Sequence, residues 1–185
     1  MEIVEDILEL TRIVRKAKKM IISLDGSMDA GKSTFISPAL RIAVGGHIIH
    51  LDRYLRRHSG KYFHSVHFPK LREDIHRTLL SKTPLVIEGL MVTQILRHLH
   101  IHPDISLYAC DSFWYRQWQE YEHDHEPVRQ IIHDEEQMTN RIEKALHPRW
   151  KYMHFNHVTK ELYEYTHTYR PIDNANYFFI IDKYF

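Results

Sequence analysis

Cysteine is almost absent from this chain. Cys110 stands alone among 185 residues, which excludes an intramolecular disulfide and fits a reducing compartment. Net charge is missing too: 25 Lys and Arg face 24 Asp and Glu, so no strong global field draws the chain onto nucleic acid or an anionic membrane. No apolar run approaches the ~20 residues needed to cross a bilayer. The first residues, Met1-Glu2-Ile3-Val4-Glu5-Asp6, are acidic and lack the basic start and apolar centre of a secretion signal. There are only 6 glycines, and no Gly/Ser linker, internal repeat or low-complexity tract divides the chain. The expectation is one cytoplasmic domain over residues 1–185, large enough to bury a core around a central sheet, with no nucleic-acid or membrane partner. Histidine is abundant by contrast, and 16 imidazoles make the charge respond to pH near about 6.5.

Against that background one motif is complete. Gly26-Ser27-Met28-Asp29-Ala30-Gly31-Lys32-Ser33-Thr34 matches G-x-x-x-x-G-K-[ST] at every fixed position. It follows the β-branched run 20–24, and the chain is then free of glycine until Gly45, the strand–loop–helix context that a phosphate-binding P-loop requires. In such a loop successive N–H groups form an anion nest at a helix N-terminus. Gly26 and Gly31 admit torsions that a Cβ penalises, Lys32 reaches the β- and γ-phosphates, and the Ser33 hydroxyl can ligate Mg²⁺. All nine residues are candidates for binding a nucleoside triphosphate. Pro38, seven residues past Gly31, deletes a helical hydrogen bond and is expected to kink or shorten the helix that follows.

Residues 2–19 place Ile3, Ile7, Leu10, Val14 and Ala17 at helical steps, with acidic residues early and basic ones late. The pattern predicts an amphipathic helix packed on the protein's own sheet; its basic end would also suit a membrane or a partner. Strand-like runs follow at 20–24, 47–51, 84–87, 105–110 and 177–181, separated by helical material. They are apolar rather than alternating, as strands covered on both faces are. The prediction is a three-layer α/β/α fold with a five-stranded parallel sheet and right-handed crossovers, plus a helical lid over about 112–145.

Ligands of such sheets bind beyond the carboxyl ends of the strands. The second run delivers Asp52-Arg53-Tyr54 there, and the third delivers Glu88-Gly89. Phosphoryl transfer needs a cationic cradle, a metal and a carboxylate that accepts the proton of an attacking hydroxyl. Asp52 is the candidate base, though Asp also suits a helix N-cap. Glu88 is the candidate for holding Mg²⁺ through water, its alternative being a surface carboxylate. Ser33, Asp52 and Glu88 form the candidate metal set.

These three features in order (the P-loop, His50-Leu51-Asp52-Arg53-Tyr54 and Val86-Ile87-Glu88-Gly89) resemble the uridine kinase and nicotinamide riboside kinase branch of P-loop kinases over most of the chain. The resemblance implies a small-molecule kinase using ATP and Mg²⁺, with Asp52 acting on the acceptor hydroxyl and Glu88 contacting metal or substrate. One acidic residue stands before the aromatic where the family often has two. The lid arginines of uridine kinases, often Arg-Gly-Arg, give way to the more acidic and aromatic stretch 114–129. Arg116 is the candidate γ-phosphate contact there, with a solvated helix arginine as the alternative.

Between Asp52 and the third strand runs a basic and aromatic insertion containing Arg53, Tyr54, Arg56, Arg57, Lys61 and Tyr62. Its rings could stack on a base and its cations bind an anionic group. Single-stranded nucleic acid would suit the same pattern, but the run is short and the chain neutral, which favours a small acceptor. Asp52, Arg53, Tyr54, Arg57 and Tyr62 are the candidate acceptor-side residues. His98, His100 and His102 alternate and would share one face of an extended chain, a spacing compatible with Zn²⁺. His123 and His125 read as solvated. The Tyr- and His-rich stretch with Tyr152, Phe155, Tyr163, Tyr165 and Tyr169 reads as helical core or as a partner surface. The leading expectation is a kinase that phosphorylates a nucleoside or nucleoside-like hydroxyl. The alternatives are a nucleotide-dependent switch or binding module, and transfer to a nucleoside monophosphate or nucleic-acid end through Arg56 and Arg57.

Overall fold

Side chains of a strand alternate between its two faces, and here that parity decides what each helix can pack against. A computed structural model describes residues 2–17, 20–27, 30–56, 61–112 and 157–181. In chain order they form β1 (Glu2–Val4), α1 (Ile7–Ala17), β2 (Ile21–Gly26), a π-helical turn (Lys32–Ile36), α2 (Ser37–Val44), β3 (His47–His50), a 3-10 turn (Leu51–Tyr54), α3 (Tyr62–Ser65), α4 (Phe68–Leu80), β4 (Leu85–Glu88), α5 (Val92–His98), β5 (Ile105–Asp111), α6 (His157–Tyr169) and β6 (Tyr177–Ile181). The strands make one wholly parallel sheet in the order β1-β6-β5-β2-β4-β3.

Ile22 and Leu24 of β2, Val86 of β4, Ile105, Leu107 and Ala109 of β5, and Phe179 of β6 face α1 and α2, where Leu10, Val14, Ile36 and Leu40 cover them. The opposite parity, Ile49, Leu85 and Ile87, packs under Leu71 and Ile75 of α4, Val92, Ile95 and Leu96 of α5, and Tyr165 of α6. Toward β6, Tyr108, Cys110 and Phe178 complete that second face, with Tyr108 and Phe178 stacked 5.7 Å apart. Each fully buried Leu or Ile contributes roughly 1.5–3 kcal/mol relative to exposure. The result is the expected parallel α/β arrangement with helices on both faces. Among the described residues no helix is long and apolar enough to cross a membrane.

The sheet has six strands, not five, and the difference lies at the N-terminus. Residues 2–19 do not form one helix: Glu2, Ile3 and Val4 pair in parallel with Tyr177, Phe178 and Phe179 of β6. Asp6 then starts α1, its Oδ1 accepting the Leu8 N–H at 2.8 Å. Ile3 sits four residues before Ile7, so it extends the helical stripe by coincidence. The β-branched pair Ile3-Val4 instead completes the sheet edge, where partner hydrogen bonds outweigh a weak local preference. The other strands fall within two residues of their expected limits, and Cys110 is buried with its thiol pushed up to about 12, by burial first and then by Asp111.

Pro38 does interrupt the helix after the P-loop. The Ile36 N–H reaches back to Gly31 O (3.2 Å) in i→i+5 spacing, and α2 begins afresh at Ser37 with Pro38 in its first turn, where a missing N–H costs little. Ser37 Oγ donates to Lys32 O at 2.6 Å across the join.

Two glycines set how closely strand ends approach. At Gly26 (φ 147°) a Cβ would lie 1.9 Å from the backbone oxygen of Ala109, and at Gly89 (φ 155°) it would lie 2.8 Å from Leu51 Cβ. The first clash is with main chain in a central strand and no rotamer relieves it. Gly26→Ala is therefore expected to destabilise the fold by at least about 2–3 kcal/mol in urea unfolding; an unchanged midpoint would contradict this packing.

Candidate functional site

The chain leaves β2 at Gly26, and the Ser27 N–H donates to Ala109 O at 3.0 Å, so β5 anchors the first residue of the loop. Gly31 takes the left-handed conformation (φ 63°) that turns the chain into the π turn. Lys32 is buried and its ammonium curls back to Gly26 O (3.1 Å) and Ser27 O (2.5 Å). Ala30 is buried, while Ser33 and Thr34 open to solvent. Ser27 Oγ is a buried hydroxyl that finds no partner among the described residues, a donor suited to a phosphate oxygen. Met28 and Asp29 lie outside the described residues.

Glu88 ends β4 directly beside Leu24 of β2 and His50 of β3. Its parity points it to the α2 face, where Ser33 Oγ lies 2.9 and 3.0 Å from the two carboxylate oxygens. His50 Nδ1 hydrogen-bonds Glu88 Oε1 from the other side. Glu88 is 2% exposed, so the surface-carboxylate alternative does not apply. An alcohol oxygen and a carboxylate at the mouth of the P-loop are hard oxygen donors of the kind Mg²⁺ takes, one or two from protein and the rest from water and phosphate.

Asp52 lies on the next strand end, exposed, inside the 3-10 turn that follows His50 rather than capping a helix. Its Oδ1 accepts the Tyr62 hydroxyl at 2.7 Å. Tyr62 is buried, and burial followed by the Asp52 charge raises its phenol far above the ordinary value. The Leu90 N–H reaches the same phenol at 3.5 Å. Tyr54 donates to Asp74 Oδ2 of α4 at 2.9 Å, with its phenol pushed up to about 12 by burial and then by Asp74. Both tyrosines proposed from sequence for acceptor stacking thus have their hydroxyls committed to carboxylates. Arg53 is exposed beside them. Leu55 and Val66 bridge antiparallel, and Arg56 N–H donates to Ser65 O at 2.7 Å, closing the insertion into a strap. Arg57 lies outside the described residues, as do Arg116, His123, His125, Tyr152, Phe155, the side chain of Tyr163 and the lid beyond residue 112.

The histidine tract does not run extended: His98 ends α5 with its ring 4.3 Å from that of Phe68, and His100 sits in a turn at φ 58°. Among the described residues no group of three His, Cys, Asp or Glu is placed to hold a metal.

Sequence reasoning gave no role here to four residues that organise this region: Asp25, Tyr165, His50 and Glu161. Asp25, just before the P-loop, is buried on the α5/α6 face. Its Oδ1 accepts the Gly26 N–H (2.9 Å), and its Oδ2 accepts the Thr93 N–H (3.1 Å), the Thr93 hydroxyl (3.3 Å) and the hydroxyl of Tyr165. Burial raises the Asp25 pKa, while Tyr165, the Thr93 and Gly26 amides and the Lys32 charge pull against it. Tyr165 is raised in turn by burial and by Asp25. A charged residue inside an apolar strand was the available signal for Asp25; apart from the adjacent Gly26 amide, the partners of all four come from distant parts of the chain and leave no local pattern.

No protein-family model matches this chain. No curated protein matches it either. Among solved structures it is similar to a possible uridine kinase from Bacillus stearothermophilus, at 13% identity and a TM-score of 0.49, over 94% of this chain and 96% of that one.

The Asp25 environment has a consequence for pH. A carboxyl whose folded pKa is raised binds more protons folded than unfolded, so its contribution is most favourable below the unfolded value near about 4 and is lost as pH rises through the folded one. The stability lost in Asp25→Asn should therefore shrink between pH 5 and 8 in paired urea titrations. A loss that grows with pH would show that burial does not dominate this group.

Proposed function

We propose that the chain transfers the γ-phosphoryl group of ATP to a hydroxyl of a small acceptor, of nucleoside or nucleoside-like class. One observation carries the reading. The three neighbouring strands β2, β4 and β3 end in the P-loop, Glu88 and Asp52 respectively, with Ser33 already hydrogen-bonded to Glu88. That is the set phosphoryl transfer requires, gathered at one edge.

In this reading the loop amides and Lys32 hold the β- and γ-phosphates, Lys32 exchanging its contacts to Gly26 O and Ser27 O for phosphate oxygens. Ser33 and Glu88 would hold Mg²⁺, which supplies charge neutralisation on the phosphate oxygens when bound. His50 fixes the Glu88 carboxylate. Asp52 accepts the proton of the acceptor hydroxyl as its oxygen bonds to the γ-phosphorus and the bond to the β-phosphate oxygen breaks, leaving ADP and a phosphomonoester. Tyr62 orients that base from behind.

The test is donor consumption, with ATP and GTP compared, across a panel of nucleosides, vitamins and sugars. Acceptor-stimulated turnover is expected. Turnover stimulated only by a macromolecular partner would point to a switch instead. Asp52→Asn should keep nucleotide affinity and lose about 10²-fold or more in kcat, as removal of a general base does. Lys32→Ala should cost about 10²-fold in kcat/KM, the loss typical of one charge-stabilising donor. Full acceptor-dependent turnover in Asp52→Asn would remove that residue from the chemistry.

A further inference from the structure

Helix α6 presents two buried polar side chains one turn apart, Glu161 and Tyr165, on the face that meets the sheet. Tyr165 holds Asp25 at the root of the P-loop. Glu161 holds the acceptor side: Oε2 accepts the Tyr62 N–H, and Oε1 accepts the Phe63 N–H at 2.9 Å. These are the first two amides of α3, a four-residue helix with no side-chain cap of its own. Helix N-terminal N–H groups lack internal partners, and a helix this short does not persist unaided. A carboxylate there makes two charge-assisted bonds and dictates the rotation of the turn.

That rotation matters because the other end of Tyr62 is the Asp52 hydrogen bond. Asp52 is exposed, so without the phenol its carboxylate would sample several rotamers. Apolar packing alone could dock α6 on the strap, and burying a carboxylate for that purpose carries a desolvation cost. What the carboxylate adds is direction.

We propose that Glu161 is a positioning residue for the acceptor base. Through the Tyr62 backbone it fixes the phenol that orients Asp52, and with Tyr165 it makes α6 the strut that sets the spacing between donor loop and base. The inference rests on the kinase reading above.

Glu161→Gln keeps the shape but leaves one acceptor oxygen where there were two. It is expected to lower kcat for acceptor-dependent turnover by about 10-fold or more, since a misplacement of about 1 Å costs up to about 10²-fold. Nucleotide affinity should stay within about twofold, and amide exchange at Tyr62 and Phe63 should quicken. Tyr62→Phe deletes only the phenol oxygen and should reproduce the kcat loss. The double variant should be no worse than about the weaker single, because both act on one contact. Unchanged kcat in either single variant, or losses that multiply fully in the double, overturns the proposal. Should Glu161→Gln not fold, Tyr62→Phe alone decides, by the same kcat criterion. Absence of acceptor-stimulated turnover in the unmodified chain is a separate result: it sinks the kinase reading, and this proposal with it.

Discussion

The carboxyl group of Asp25 sits where the central strand runs into the loop that begins at Gly26, buried from water. A buried polar group is tolerated only with its hydrogen bonds made, and four donors surround this carboxyl: two amides, the Thr93 hydroxyl and the Tyr165 hydroxyl. Those donors come from β2 itself, from α5 and from α6, the last 140 positions away. Satisfying one group thus fixes where β2 ends, where α5 begins and how α6 lies on the sheet. Everything built at that edge inherits its position from this knot.

Strand parity keeps the knot on the opposite face of the sheet from Glu88. Asp25 faces α5 and α6, whereas Leu24, one residue earlier, faces α2. Glu88 stands beside Leu24 and so emerges on the α2 face with Ser33 and His50. Two acidic side chains on adjacent strands therefore occupy opposite sides of the sheet, with mutual repulsion kept small and roles distinct. One braces the loop from the α5/α6 face and the other meets Ser33 and His50 on the α2 face.

The aromatic strap has a different logic from the one its composition suggests. Tyr54 and Tyr62 turn their hydroxyls to Asp74 and Asp52, so they tie the strap to its neighbours. The short helix that carries Tyr62 is held by a carboxylate from α6. The root of the P-loop and the strap that carries Tyr62 are thereby pinned to one helix, through Tyr165 and Glu161.

Much of this was legible in the residues. Strands buried on both faces read as short apolar runs, and the P-loop declares itself through fixed glycine, lysine and serine spacing. Asp52 and Glu88 could be placed at strand ends for the same reason. Strand β1 could not, because three residues are shorter than any periodicity and Ile3 fits the helical stripe as well as it fits a strand; pairing with β6 decided it. The course of the histidine tract was not legible from its alternation, because α5 runs through His98 and His100 sits in a turn. Local pattern and spacing determined the elements, their order and the motif, since those depend on neighbours a few residues apart. Which donor meets which carboxylate was decided only by the tertiary fold, because the Tyr165 hydroxyl with Asp25 and the Tyr62 N–H with Glu161 are contacts between distant segments that exist only once the sheet has brought them together.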